Sequence, residues 1–340
     1  MRYIIIGAGA VGGAIGGRLA GSGHEVVLVA RGAHHAALRD GGLRLKVPEG
    51  EYTYRLRAVT GPGELGELRA DDVLVLAVKT QDTVTALGTW GPAPVAGGGT
   101  AAERLPVFCA QNGVEGQRLA LRVFRHVYGV CVWLPATYLE PGVVSAGGAP
   151  LTGMLHLGRH PRGTDATVRL VAADLETSHF EAPVVPDVAR WQYAKLLSNL
   201  GNALEAVAGP VADEAAVTLF QRVRAEGEAV LDAAGIAYAS VEEQRALRGH
   251  KVDLVPLDGA PRGGGSSWQS LSRGTGTIEA DYLNGEIALL GRLHGVPTPL
   301  NDLLQRLANT FAREQREPGS LPVGELVRLA DEAVARLQQA

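Results

Sequence analysis

Near its start the chain reads Arg2-Tyr3-Ile4-Ile5-Ile6-Gly7-Ala8-Gly9-Ala10-Val11-Gly12, an apolar run that leads directly into a glycine-rich turn. Residues 11–20 have the pattern of a helix, and residues 25–30 form a second apolar run. This order predicts a strand–helix–strand unit of about thirty residues, the setting in which a G-x-G-x-x-G turn has a known mechanism. The turn alone would be weak evidence in a chain with 45 glycines, so the prediction depends on its two flanks.

Each glycine of the turn has a separate expected task. Gly7 permits the tight turn, Gly9 lets the backbone approach a pyrophosphate, and Gly12 lets the helix pack closely on the strand. The N–H groups at the helix start, around Ala10 and Val11, are then expected to receive the phosphates of a dinucleotide. The alternative interpretation is an ordinary tight turn between a strand and a helix.

The end of the second predicted strand carries a cation where many dinucleotide sites carry an acid. A site for NAD usually places Asp or Glu there to accept a hydrogen bond from the ribose 2′-hydroxyl. This chain has Val29-Ala30-Arg31 instead. A guanidinium offers a fork of donors that suits a 2′-phosphate. The sequence therefore favours NADP(H) over NAD(H), against the alternative that Arg31 is an exposed loop arginine.

Composition limits the possible partners. The 340 residues are 46% hydrophobic, enough for two domains with separate cores. The net charge is −4 and the isoelectric point is near 6.2, which argues against a nucleic acid partner. Because no run of Lys or Arg exceeds a pair, an anionic membrane surface is not expected as a partner either.

Cysteine and histidine usage points to a cytoplasmic protein without a metal. Cys109 and Cys131, the two cysteines, lie in apolar runs and are expected to be buried free thiols. The nine histidines show no spacing typical of metal ligands. No secretory signal or membrane span is expected, because the opening apolar run is short and no later stretch approaches about 18 apolar residues.

Strand and helix signals alternate in the first half of the chain and only helical signals occur in the second. Apolar strand-like runs occur at residues 52–59, 73–78, 106–110 and 127–133. Helical patterns occupy residues 188–207, 213–234, 276–294, 299–313 and 323–337. We therefore expect an α/β, Rossmann-type dinucleotide-binding domain over residues 1–184. An all-α substrate and catalytic domain is expected over residues 185–340.

Three places supply side chains for chemistry, which we expect in a cleft between the two domains. Lys79 follows a buried strand, and Asn112 follows the next one, where the carboxyl ends of parallel strands face a ligand. Lys195 and Asn199 lie four residues apart on one face of a predicted helix, and Asn202 lies near the same stripe. Taken one at a time, each is more often a solvated lysine or a surface amide.

Together these residues resemble the ketopantoate reductase family, and the resemblance covers most of the chain. Gly7, Gly9 and Gly12 with Arg31 match the family's NADPH site. Lys79 in "VKTQD" and Asn112 in "QNGVE" match a lysine and an asparagine of its cleft. The resemblance implies reduction of 2-dehydropantoate by NADPH on the route to pantothenate and coenzyme A.

The second half of the resemblance concerns the catalytic residues. Lys195 and Asn199, in "WQYAKLLSN", match the family's catalytic lysine and a substrate-binding asparagine. The string "SSWQSLSRGTGTIEADYLNG" matches its closing signature, which places Ser267 on the substrate carboxylate and Glu279 on the catalytic glutamate. In this scheme Lys195 donates the proton to the carbonyl oxygen, while Asn199, Asn202, Asn112 and Ser267 bind a 2-oxo acid.

Two departures from the family pattern leave alternatives open. The family usually carries a second asparagine at the position of Ala203, and residues 247–265 are longer than in compact members. One alternative is a sister enzyme that reduces a different 2-oxo acid or ketone. The other is a non-catalytic NADP-binding sensor, although Lys195 and Glu279 are both in place. The pattern does not give the oligomeric state; an exposed helical face leaves room for a homodimer.

Overall fold

The computed structural model of the chain describes residues 1–257 and 264–338. Within them the chain forms two compact units, the first made of residues Met1–Gln192 with 240–257. The second consists of residues Tyr193–Ala239 with 264–338. After residue 239 the chain therefore returns to the first unit. The expected division into domains of residues 1–184 and 185–340 does not include this return.

A largely parallel sheet organises the first unit. Its strands, numbered along the chain, are β1 (Arg2–Ile6), β2 (Glu25–Val29), β5 (Arg57–Val59), β6 (Asp72–Leu76), β7 (Pro106–Cys109), β8 (His126–Trp133), β12 (Gly153–Arg159) and β13 (Phe180–Glu181). They lie in the order β13-β12-β8-β7-β6-β1-β2-β5. β12 runs antiparallel to β8, and the other neighbouring pairs are parallel.

The central strands β1 and β6 are almost entirely apolar because both faces of the sheet are covered, and their charged first residues, Arg2 and Asp72, form a buried ion pair with each other (2.7 Å). Ile5 and Val75 belong to one buried cluster, while Ile4 and Leu74 belong to another. Successive side chains of a strand point to opposite faces, so a strand buried on both faces has no polar alternation. This burial explains why residues 73–78 could be recognised as a strand from composition alone.

Helices and two small sheets complete the first unit. The helices are α1 (Ala10–Gly21), α2 (Gly32–Gly41), α3 (Thr83–Trp90), α4 (Ala101–Arg104), α5 (Glu115–Leu121), α6 (Ala166–Glu176) and α10 (Val241–Arg248), with 3₁₀ turns at Pro62–Glu64 and Thr80–Asp82. One small sheet contains β3 (Leu43–Val47), β4 (Gly50–Tyr54), β9 (Ala136–Thr137) and β10 (Val143–Ala146). The other pairs β11 (Gly148–Pro150) with β14 (Val252–Leu254).

Two expectations about strands were wrong. Residues 52–59 do not form one strand, since β4 pairs with β3 in the small sheet whereas β5 pairs with β2 in the large one. The half of the chain expected to be purely helical contains β14. Three residues that are half-buried or exposed carry no periodicity, so only the pairing with β11 makes this segment a strand.

The second unit is helical. Its elements are α8 (Gly201–Ala208), α9 (Glu214–Ala233), α11 (Ser266–Ser272), a 3₁₀ turn at Glu279–Tyr282, α12 (Asn284–His294), α13 (Pro299–Arg313) and α14 (Val323–Gln338). Helix α7 (Val188–Asn199) begins in the first unit and ends in the second. The single helices predicted over residues 188–207 and 276–294 were wrong. The first breaks at Leu200, and the second begins with Gly276, whose φ of +72° is outside the helical region.

No helix in the described parts of the chain has the length and apolar character that crossing a membrane would require. Both cysteines are buried free thiols, as expected, and burial raises the pKa of Cys109 to about 12.

Candidate active site

The three glycines of the first turn have different surroundings. Gly7 has a φ of +102°, and a Cβ there would lie 2.6 Å from the backbone nitrogen of Val78. A Cβ on Gly12 would lie 2.1 Å from the carbonyl oxygen of Gly7. A Cβ on Gly9, by contrast, would meet nothing within 4 Å. Two glycines are therefore required by close packing, and the third leaves open space beside the backbone.

The start of α1 fits a phosphate group. Its first intrahelical hydrogen bond runs from the N–H of Gly13 to the carbonyl of Gly9 (2.7 Å), so the N–H groups of Ala10, Val11 and Gly12 precede it. The first turn contains no acidic residue, and Gly9 makes no side-chain cap. Donors at a helix N-terminus attract anions, and the open space at Gly9 leaves room for one.

The turn lies where ligands bind in sheets of this kind. β1 has β2 on one side and β6 on the other, so the chain order reverses between β1 and β6. Ile6 and Leu76 are register partners at the carboxyl ends of these strands. In open α/β sheets the ligand crevice forms beyond the carboxyl ends at such a reversal. Gly7 and Lys79 both follow these ends.

Hydrogen bonds join the two loops that carry Lys79 and Asn112. The Gln111 amide donates to the carbonyl of Val78 (3.0 Å) and to the hydroxyl of Thr83 (2.7 Å). The hydroxyl of Thr80 donates to the carbonyl of Asn112 (3.5 Å). The structure thus brings the loops after β6 and β7 together, as expected. The role of Gln111 was missed, because its partners are distant in sequence.

Arg31 lies at the start of α2, with 73% of its side chain exposed. Its guanidinium is 3.4 Å from the carboxylate of Asp82, the last residue of the 3₁₀ turn after β6. The cation is thus accessible at the carboxyl end of β2, where a ribose 2′-substituent is expected.

His34 supports the glycine turn from α2, a role that the sequence did not indicate. Its Nδ1 accepts a hydrogen bond from the N–H of Gly142 (3.0 Å), so Nε2 carries the proton and donates to the carbonyl of Ala8 (2.7 Å). Both bonds use the neutral ring.

Within the residues that the structure describes, no group of three or more His, Cys, Asp and Glu side chains could hold a metal ion.

In the second unit, α7 carries Lys195 and Asn199 in its last turns. Asn199 is buried, and Lys195 is half-buried. The helix ends at Asn199, and the carbonyl of the next residue, Leu200, accepts a hydrogen bond from the Asn284 side chain (3.1 Å). Asn202 therefore belongs to the next helix, α8.

A buried network of hydrogen bonds between amide side chains lies at this break between α7 and α8. Asn284 also donates to the side-chain oxygen of Asn301 (3.0 Å), and Asn301 in turn donates to the carboxylate of Glu226 (2.9 Å). Glu226 accepts two further bonds, from the N–H groups of Leu300 and Asn301 (3.0 Å each). Burial raises the pKa of Glu226. Asn284 is thus a structural residue of the "EADYLNG" string, which links the segment after Glu279 to the end of α7.

Ser267 and Glu279 are almost inaccessible, with 2% and 4% exposure. Within the described residues the hydroxyls of Ser267 and its neighbour Ser266 are buried without a hydrogen-bond partner. Buried polar groups are usually paired, so two open hydroxyls side by side fit a ligand that completes them.

Helix α8 contacts the segment just before these serines. The carboxylate of Glu205 accepts a hydrogen bond from the N–H of Gly265 (2.8 Å). A Cβ on Gly265 would lie 2.8 Å from that carboxylate and 3.2 Å from the side-chain oxygen of Asn202. The structure therefore brings Asn202 next to the serine segment. Ala203 is 1% exposed and lies in the core.

Comparison with known proteins gives the family. The family model described as "Ketopantoate reductase PanE/ApbA" matches residues 3–162. The model for the C-terminal part of the same family matches residues 187–312. The chain belongs to the ketopantoate reductase family. The resemblance inferred from the motifs is thereby confirmed, as is the fold class of an α/β dinucleotide-binding domain followed by a helical one.

Relatives in the family match almost the whole chain. The 2-dehydropantoate 2-reductase of Pyrococcus horikoshii is 27% identical, over 94% of this chain and 100% of the relative. That of Mesorhizobium japonicum is 28% identical, over 93% of this chain and 99% of its own length. A crystal structure of a PanE/ApbA family ketopantoate reductase from Ralstonia eutropha has a TM-score of 0.75 at 28% identity and covers 93% of this chain and 100% of that one.

A more distant structure has a similar fold. D-mandelate dehydrogenase, solved with NADH and anilino(oxo)acetate, has a TM-score of 0.76 at 22% identity and covers 93% of this chain and 100% of its own. Membership of the ketopantoate reductase family makes the chain an oxidoreductase that uses a nicotinamide dinucleotide. The open backbone at Gly9 and the first turn of α1 fit such a cofactor.

Proposed function

We propose that this chain reduces 2-dehydropantoate to pantoate with NADPH. The observation that carries the proposal is the match, over nearly full length, to relatives named 2-dehydropantoate 2-reductase. The presence of Lys195 and Glu279 in the family's catalytic positions supports a working enzyme over a non-catalytic NADP-binding sensor.

NADPH is proposed over NADH because of the end of β2. No carboxylate follows Val29, and the accessible guanidinium of Arg31 begins α2. Such a fork can bind a 2′-phosphate through two charge-assisted hydrogen bonds. The remaining cofactor contacts are assigned to the backbone from Gly7 to Gly12, with Lys79 and Asn112 beside it.

Lys195 is the proposed proton donor. When bound, the reduced nicotinamide supplies a hydride to the C2 carbon of the ketone. The ammonium of Lys195 stabilises the charge that develops on the carbonyl oxygen and gives it a proton, so that the product is the 2-hydroxy acid. Glu279, buried in its 3₁₀ turn, is assigned to hold Lys195 and to help return its proton.

The remaining residues would bind the substrate. Ser267 has a buried hydroxyl that no described protein group satisfies, which suits a substrate carboxylate. Asn199 at the end of α7 and Asn202 at the start of α8 supply amides for the carbonyl, hydroxyl or carboxylate oxygens. Asn112 would bind on the nicotinamide side.

A second candidate is reduction of a different 2-oxo acid. It is favoured by Ala203, a buried methyl group where the family usually has an amide, and by the longer segment 247–265, of which residues 258–263 lie outside the described residues. Either change alters the groups available to the part of the substrate beyond the ketone, without touching Lys195 or Glu279.

A substrate panel separates the two candidates. Purified protein is given NADPH and a series of 2-oxo acids, including 2-dehydropantoate, and the loss of NADPH absorbance is followed. We expect 2-dehydropantoate to give the highest kcat/KM. Another branched 2-oxo acid that exceeds it by about a hundredfold would establish the second candidate, since such a ratio is what pocket contacts typically provide.

The cellular setting is also a proposal. We propose a cytoplasmic enzyme. Its cofactor-binding domain is assigned to residues 1–184 and its catalytic domain to residues 185–340, of which residues 240–257 pack with the first unit. It would form a homodimer, an assembly also stated for a ketopantoate reductase from Staphylococcus aureus, which is 18% identical over 93% of this chain and 100% of that one, with a TM-score of 0.64. Light scattering of the purified protein tests the assembly, since a monomer mass would contradict it.

A further inference from the structure

One carboxylate lies beside the cation that is proposed to recognise the cofactor. The guanidinium of Arg31 is 3.4 Å from the Asp82 carboxylate; the Arg31 side chain is 73% exposed and the Asp82 side chain 41% exposed. The two residues come from different segments: Arg31 follows β2, and Asp82 follows β6. The large sheet therefore brings an acid to the carboxyl end of β2, where β2 itself has none.

The local structure directs Asp82 toward Arg31. Asp82 immediately precedes α3, where an aspartate commonly caps the helix, yet it makes no side-chain cap there. Its backbone N–H bonds to the carbonyl of Lys79 (2.9 Å), and Thr80 is buried at 1% exposure. The Gln111 amide holds Thr83, the next residue (2.7 Å). The turn that positions Asp82 is thus fixed on both sides.

An acid at this point affects the two cofactors differently. A 2′-phosphate carries about two negative charges at neutral pH and would share the guanidinium with the carboxylate, so the two anions repel each other. NADH has a 2′-hydroxyl in the same position, and a hydroxyl can donate a hydrogen bond to a carboxylate. Asp82 therefore weakens NADPH binding while tolerating NADH or assisting it.

We propose that Asp82 is a cofactor-specificity residue that reduces the preference for NADPH set by Arg31. The inference rests on the proposed use of NADPH. It implies a chain that accepts NADH measurably, with the ratio of the two affinities set by a pair of opposite charges.

The test is the substitution Asp82→Asn, with both nucleotides titrated by their fluorescence at low ionic strength. NADPH should bind roughly three- to tenfold more tightly than to the wild type, the size expected for removing one solvent-exposed repulsion. NADH should bind equally well or more weakly. At high ionic strength the gain for NADPH should shrink, because salt screens exposed charges.

The matched control is Asp71→Asn. The Asp71 side chain is exposed to a similar degree, at 50%, and forms an ion pair with Arg69. Asp71 directly precedes β6 and lies at its amino end, whereas Asp82 lies beyond its carboxyl end. It changes the net charge equally and should leave the ratio of the two affinities unchanged. An equal shift in both variants would overturn the inference, because it would show an effect of net charge alone.

Arg31→Ala distinguishes this inference from the function on which it rests. Loss of the NADPH preference in Arg31→Ala, with an unchanged ratio in Asp82→Asn (within about twofold), rejects the role of Asp82 and keeps the NADPH site. An unchanged ratio in Arg31→Ala rejects the NADPH site itself, and the inference with it. Circular dichroism of each variant confirms that the exposed substitutions leave the fold intact.

Discussion

Lys195 is half-buried on α7, one turn before Asn199, and belongs to the helical unit. Lys195→Ala should lower kcat by roughly 10²–10⁴-fold, the usual contribution of a general acid. NADPH affinity should be nearly unchanged, because the glycine turn and Arg31 are intact. Steady-state kinetics beside an NADPH titration measures both quantities.

Ser198→Ala, three residues further along the same helix, is the control for this substitution and should keep kcat close to that of the wild type. A Lys195→Ala enzyme with normal kcat and weakened NADPH binding would make the lysine a cofactor ligand. The proposed proton donor would then be wrong.

We expect His156 to make the free energy of unfolding depend on pH. It is buried on β12 and stacks on the ring of Trp191, with the ring centroids 4.5 Å apart. Burial lowers its pKa from the usual 6.5 to about 4. The unfolded chain therefore binds the proton first, and the free energy of unfolding falls as pH drops from about 6.5 to about 4, by on the order of 3 kcal/mol.

His156→Phe keeps an aromatic ring beside Trp191 and removes the titration, so its unfolding free energy should depend less on pH in that window. Urea unfolding at a series of pH values measures the difference. His250→Gln, at a side chain that is 97% exposed, should follow the wild-type curve. Parallel curves for His156→Phe and the wild type would show that His156 does not carry the effect.

At the scale of elements, two glycines of the turn between β1 and α1 are expected to affect different properties, one the free energy of unfolding and the other cofactor affinity. Gly12→Ala should destabilise the protein by about 1–3 kcal/mol, because the methyl group would lie 2.1 Å from the Gly7 carbonyl. Gly9→Ala should change the unfolding free energy by less than about 1 kcal/mol, since its methyl group meets open space. We propose that a pyrophosphate approaches the backbone through that space, so NADPH affinity should fall. Urea unfolding and nucleotide titration of both variants test the pair, and normal NADPH binding by Gly9→Ala would contradict the assignment.

The observed helices and strands show which element boundaries can be predicted from sequence patterns. β1, β6 and α13 were found within two residues of their observed bounds, because the two strands are short apolar runs and α13 is long enough for its helical period to be recognised locally. The break after Asn199 was not found; the partner of the Leu200 carbonyl at this break is Asn284, which lies 84 positions further along the chain. β14 was missed for a similar reason: its partner β11 lies about a hundred residues earlier.

At the scale of the whole molecule, the sequence alone was sufficient for the family and for the order of an α/β domain followed by a helical one. Short motifs with fixed spacing indicate these properties, because the function of a glycine turn or of a lysine at a strand end depends on the residue types themselves and on their local spacing. Only the tertiary structure revealed that residues 240–257 return to the first unit, that His34 and Gln111 support the cofactor loops, and that Asp82 faces Arg31. These features are contacts between distant segments. Their energies depend on which surfaces the folded chain brings together, and no local pattern encodes them.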